Sequence, residues 1–215
     1  MKKLICLILA LALCLATAAM AESVPSKTTS GLTRFEVTAE NQPGDENLYL
    51  LPVNEVTVGE TLLDYQKRID ICQVEIEKLA TSESVEAYFK NVADSEGNPV
   101  DLRVLLGLET DADLLNVFEF CPAIAGGFQE DCGKVSARML FSTPYEKDEK
   151  VIVLIGIVTI HEDETQTVAW QAFEGIGQGA VEGQEETYGS VLVELTPEIV
   201  KAIQNETALL AVVSR

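Results

Sequence analysis

From residue 114 onward the chain is a series of short apolar runs cut by polar turns, and that rhythm narrows its fold more than any other feature. The runs are Leu115–Cys121, Lys134–Ser142, Val151–Ile160, Gln166–Phe173, Ser190–Leu195 and Ala208–Val213. Turn-like segments such as Thr143-Pro144-Tyr145 and His161-Glu162-Asp163-Glu164 separate them. The gap opened by Thr196-Pro197-Glu198 instead carries a helix start, with Thr as cap and Pro in the first turn, and a small helix is expected to Gln204. Strands with no helix between most of them pair antiparallel, so residues 114–215 are expected to form an antiparallel β-sandwich, Ig-like or related.

The stretch 32–113 reads as a mixed strand and helix segment, or a small subdomain, which makes the fold class α+β. Strands are expected at Leu32–Ala39, where Leu32, Phe35 and Val37 stand among polar residues, and at Leu48–Val53 behind the turn-like Gln42-Pro43-Gly44-Asp45. The clearest helix starts at Thr61-Leu62-Leu63-Asp64, and its apolar residues recur at Leu62, Tyr65, Ile69, Cys72, Ile76 and Leu79. A strand through Cys72, Val74 and Ile76 competes, but length and capping favour the helix. Ser84 caps a short helix through Val85, Tyr88 and Phe89, and Asp101–Leu106 supplies another helical turn stopped by Gly107.

Residues 1–21 read as a secretory signal peptide. Lys2 and Lys3 precede an apolar run from Leu4 to Leu15, and Ala19-Met20-Ala21 offers a small-x-small cleavage site. That run is shorter than the ~20 residues a membrane span requires, so an uncleaved anchor is disfavoured. Leu13 precedes Cys14 where a lipoprotein needs a small residue, so no lipid is expected. Residues 22–31, rich in Ser, Thr and Pro, are expected to be a flexible leader. The expected destination is the secreted or periplasmic space, after cleavage following Ala21, with no membrane insertion thereafter.

Charge narrows the partners. With 47% hydrophobic residues the chain can bury a core despite a net charge of -20. Its 35 acids against 15 scattered bases argue against nucleic acid and against anionic membrane surfaces.

Cleavage would leave Cys72, Cys121 and Cys132. Cys121 and Cys132 stand symmetrically about Gly126-Gly127, so a hairpin there would set them opposite one another and allow a disulfide in an oxidising compartment. Cys72, on the apolar stripe of the expected helix, reads as a buried, inert thiol.

The sequence assembles no catalytic set. His161 is the single histidine, in an acidic turn, which excludes a His-cluster zinc site and disfavours a Ser-His-Asp triad. Gly175-Ile176-Gly177-Gln178-Gly179-Ala180 matches a dinucleotide fingerprint formally, but a glycine-broken acidic stretch follows it where a helix is needed. Glu109, Asp111 and Asp113 could offer oxygens to a calcium ion, although the chain lacks the glycine and terminal glutamate of an EF-hand loop. No other cofactor is expected. Trp170 fits a core position better than a sugar platform, whereas Tyr145 and Tyr188 lie in turns as candidate exposed contacts. Asn205-Glu206-Thr207 matches the glycosylation pattern, a short match. The expected function is a secreted, non-catalytic binding module for an extracellular protein or glycan; the alternative is an exported carbohydrate-active hydrolase using paired carboxylates.

Overall fold

The computed structural model describes residues 32–53, 60–109, 114–141, 145–180 and 189–215. The expected signal peptide and leader lie outside them. Among the described residues the chain is mostly antiparallel β-sheet with few helices. The elements in order are β1 (Leu32–Ala39), β2 (Tyr49–Pro52), α1 (Leu62–Thr81), α2 (Val85–Tyr88), α3 (Leu102–Leu105), β3 (Asn116–Gly126), β4 (Val135–Phe141), β5 (Lys147–Ile160), β6 (Gln166–Ala180), β7 (Gly189–Leu195), α4 (Pro197–Asn205) and β8 (Ala208–Ser214).

All eight strands belong to one sheet, ordered β1-β4-β7-β6-β5-β8-β3-β2, and every neighbouring pair is antiparallel. The two edge strands, β1 and β2, come into contact, so the sheet wraps into a nearly barrel-shaped wall. No hydrogen-bonded ladder joins them among the described residues. The carboxylate of Glu119 reaches across instead: the Leu32 backbone N–H, at the start of β1, donates to its Oε2 at 3.0 Å from β3. The strands β1 and β2, from the N-terminal stretch, are thus part of the same sheet as the strands beyond residue 114.

Period-2 alternation divides the apolar side chains between two cores. Val151, Val153 and Ile155 of β5 face inward with Met139, Phe141, Val193 and Leu210. Ile152 and Leu154, one residue out of phase, face outward with Trp170, Leu209, Ala211 and Val213. Helices cover that outer face, contributing Cys72 and Leu79 from α1, Leu102 from α3 and Phe89 just after α2. Burial on both faces is why β5 and β8 read as near-continuous apolar runs rather than alternating ones. The fourth helix, α4, sends Ile199, Val200 and Ile203 into the inner core.

Capping follows the sequence. Thr61 Oγ1 accepts from Asp64 N at 3.1 Å to start α1, Ser84 Oγ accepts from Ala87 N at 3.1 Å, and Thr196 Oγ1 accepts from Ile199 N at 3.4 Å. The half of β6 that β7 does not reach is covered by a short bridge. There Ala93 N donates to Trp170 O at 3.0 Å and Ala172 N donates to Ala93 O at 2.8 Å, which blunts an otherwise open sheet edge.

Two strands outrun their expected ends. β3 continues through Pro122 to Gly126, and β6 absorbs Gly175, Gly177 and Gly179, the residues of the apparent dinucleotide fingerprint. That segment is therefore strand, and among the described residues no helix N-terminus follows it to hold a phosphate.

The expected Cys121–Cys132 hairpin is corrected. Both edges of β3 are taken, by β2 over Ala123–Gly126 and by β8 over Asn116–Ala123, so residues 128–132 have no edge to return along. Cys121 lies opposite Leu210 instead, and Cys72, Cys121 and Cys132 are all free, buried thiols.

Candidate functional site

Of the expected contact residues, the two that are described, Tyr145 and Trp170, lie in different cores. Tyr145 is corrected from an exposed turn residue to a buried one, 4% exposed, packed against Phe141 at 5.0 Å and Phe118 at 6.5 Å between ring centroids. Its hydroxyl has no partner among the described residues. Burial, and then the charges of Glu149 and Glu119, push its ionisation above the ordinary tyrosine range. Trp170 is a core ring, 7% exposed, set edge-on to Phe89 at 5.2 Å and Phe120 at 5.7 Å on the outer face, so it offers no platform to a ligand. Tyr188 lies outside the described residues. So do Asp111 and Asp113 of the calcium candidate, whose remaining acid, Glu109, is exposed. His161 is exposed in its turn, with Nε2 3.0 Å from Thr167 Oγ1.

Burial raises the Cys72 thiol to about 12, with help from the charges of Glu119 and Glu75. Cys121 is raised for the same first reason. At neutral pH these groups are thiols, not nucleophiles.

A carboxylate that sequence reasoning missed lies beside Cys72. Glu75, 3% exposed, accepts from Tyr88 Oη, Lys78 Nζ and Gln166 Nε2, each at 2.7 Å. Burial alone would raise its pKa, but the three donors together hold it below the ordinary glutamate value. Its position, three residues after Cys72 and four before Leu79, was in phase with the apolar stripe. The arrangement ties α1 to β6 and to Tyr88 of α2. Every partner is internal, which makes it a structural joint.

The concave surface with chemistry to offer lies where β2, the start of α1 and the end of α4 meet. Tyr49 opens β2 directly opposite Gly126 of β3, and its ring crosses the place where a Cβ on residue 126 would stand. Glycine is what lets the ring lie down there. At the start of α1, Arg68 Nε donates to Glu60 Oε1 at 2.8 Å; the Glu60 side chain is 7% exposed, so the pair is fixed at the base of the surface. Asp64 sits one turn earlier, with its carboxylate accepting from Thr61 Oγ1 at 2.6 Å. That bond, and then the charges of Lys67 and Arg68, hold Asp64 below the ordinary aspartate range. From the other side, Gln204 is anchored by accepting from Phe128 N at 3.1 Å, and Glu206 stands exposed after α4.

Together these residues line an open groove of about 470 Å³ over Ile124, Ala125 and Ile203. That volume falls within the roughly 300–1,000 Å³ of small-ligand sites. The groove presents an aromatic ring, fixed donors on a guanidinium and acceptors on carboxylate and amide oxygens. Glu60 and Asp64 each face a base, Arg68 and Lys67, so the groove is polar without being a concentrated charge. Such a surface can bind by stacking and hydrogen bonding. Its pieces come from residues 49, 60–68 and 204–207, and the sequence carried no periodic or motif signal linking them.

A second depression, about 170 Å³, is lined by Leu105, Ile152 and Ile176. Asp148, Lys150 and Glu174 also line it, and it is smaller than a usual ligand site. No group of three His, Cys, Asp or Glu side chains among the described residues could hold a metal ion. Compared with known proteins, the chain matches no family model, no curated protein and no solved structure.

Proposed function

We propose that the chain is an exported, non-catalytic binding module, processed after Ala21, whose ligand on a surface protein or glycan is taken up in the groove of Tyr49, Glu60, Asp64, Arg68, Gln204 and Glu206. The observation that carries this reading is that the groove's recognition groups are held in place before any ligand arrives. Tyr49 rests on Gly126, Arg68 is locked to Glu60 and Gln204 is bonded to Phe128 N, so little side-chain freedom is left to lose on binding. The acid chemistry points the same way. Asp64 is held below its ordinary range, the opposite of the shift that a general acid needs near neutral pH. Among the described residues no helix is long and apolar enough to cross a membrane. Within the antiparallel β class, the sandwich reading draws on the inner faces of the wrapped sheet meeting across one shared core.

The test is biolayer interferometry of the processed chain against washed host cells and against their envelope fraction. Saturable binding that weakens about tenfold in a Tyr49→Ala/Arg68→Gln variant supports the reading, as expected when central anchor residues are lost. An absence of saturable binding to either preparation, or equal binding by the variant, refutes it.

A further inference from the structure

Taking the groove as the ligand site, as proposed above, we infer that its ligand is a neutral oligosaccharide rather than a protein, a nucleotide or a charged polymer. The first argument is shape. A stable protein contact covers about 800 Å² on each partner, usually across a broad surface, whereas this site is a concave groove of about 470 Å³, suited to a few sugar rings.

The second argument is charge. Phosphates, sulfates and uronic acids meet a chain of net charge -20, and Arg68, the base lining the groove, is already bonded to Glu60 beside Asp64 and Glu206. A polycation gains little, because Glu60 and Asp64 already face Arg68 and Lys67. A neutral polyol avoids both penalties.

The third argument is the match of groups. Vicinal hydroxyls are both donors and acceptors. They find acceptors on Asp64 and Glu206 and donors on the Arg68 guanidinium, whose Nε is held by Glu60. A pyranose also has an apolar C–H face, for which the ring of Tyr49, 42% exposed and supported by Gly126, is the complementary surface. One ring at the groove wall and a polar base provide for both sides of a sugar. The Glu60–Arg68 pair and Tyr49 are binding residues in this assignment, and no bond in the sugar is broken.

The experiment is titration of the ¹⁵N-labelled processed chain with maltotriose, cellotriose and tri-N-acetylchitotriose, each to millimolar concentration, followed by amide chemical shifts. The expected result is saturable shifts from at least one of the three, confined to residues near 49, 60–68, 124–126 and 203–207. Tyr49→Ala is expected to weaken that binding about tenfold and Tyr49→Phe to preserve it, since the ring and not the hydroxyl stacks. Because Tyr49→Ala uncovers Gly126, a rim variant guards against a folding artefact. Glu206→Arg lies on an exposed residue, leaves the melting temperature unchanged and abolishes the shifts by filling the groove. If all three sugars leave the spectrum unmoved, or if shifts fall elsewhere, the oligosaccharide assignment is overturned. If the envelope binding described above nevertheless persists and depends on Tyr49 and Arg68, the binding-module reading stands without it; if that binding is absent too, both fall.

Discussion

Glu75→Ala removes the common acceptor of three hydrogen bonds at the joint between α1, α2 and β6, and its cost can be assembled from what each donor is left with. Tyr88 Oη loses its 2.7 Å partner in a half-buried setting, which costs about 1–3 kcal/mol. Gln166 Nε2 keeps a second acceptor, the Ile71 carbonyl at 3.0 Å, so its loss is smaller, about 0.5–1.5 kcal/mol. Lys78 is half-exposed and retains the Gln166 carbonyl at 3.1 Å, so it contributes less than about 1 kcal/mol. The sum is about 3 kcal/mol, at the low end of what breaking a buried ionic contact costs. For a protein of this size that lowers the melting temperature by roughly 6–12 °C.

The assay is urea or thermal unfolding of wild type, Glu75→Ala, Tyr88→Phe and the double variant at pH 7. The double variant leaves no orphaned hydroxyl, so its cost should fall short of the two single costs added together, by about 1 kcal/mol or more. The pH dependence has a defined sign. The folded pKa of Glu75 is below its unfolded value, so its contribution is complete above the unfolded pKa and is lost as pH falls through the folded one. The Glu75→Ala penalty should therefore shrink in acid. A penalty under about 0.5 kcal/mol at pH 7, or strict additivity with Tyr88→Phe, would show that Glu75 does not act as the shared acceptor.

Other substitutions and measurements probe the two cores. Gly156→Ala would set a Cβ 2.5 Å from Val168 Cγ1 and 2.7 Å from the Trp170 ring, so a loss of about 1–3 kcal/mol is expected in urea unfolding; a neutral result would mean the outer core has slack. Tyr145→Phe removes a buried hydroxyl that has no partner among the described residues, so stability should stay level or rise by up to about 1 kcal/mol, and a clear loss would reveal a partner for it. A thiol reagent should find Cys72, Cys121 and Cys132 unreactive in the native processed chain and all three reactive after denaturation without reductant; a count of one would restore the Cys121–Cys132 bridge.

Where the sequence was legible, a simple period or a cap carried the signal. β1 and α1 start where Leu32 and the Thr61 cap put them, because alternation and capping are local. The extra length of β3 and β6 was hidden by Pro122 and by the glycines at 175, 177 and 179, which read as breaks until the sheet supplies neighbours. Gly175, for instance, lets Val191 pack where a Cβ would stand 2.8 Å from it. Symmetry about Gly126-Gly127 suggested a hairpin because pairing on the far sides of β3 is non-local. Tyr145 read as a turn residue, yet Phe118 and Phe141 converge on it from β3 and β4. The groove was invisible for the same reason: Tyr49, Arg68 and Gln204 are neighbours only once β2, α1 and α4 meet.

The place of β8 in the wall has a consequence for how the molecule comes into being. It follows the other seven strands along the chain, yet it sits between β5 and β3 with all seven residues buried. Order of synthesis and order in space are therefore at odds: with everything up to residue 207 in hand, β5 and β3 still lack the strand that joins them. Both cores draw residues from β8, so neither is complete without residues 208–214, and closure is expected to be slow in the way that distant strand pairings are slow.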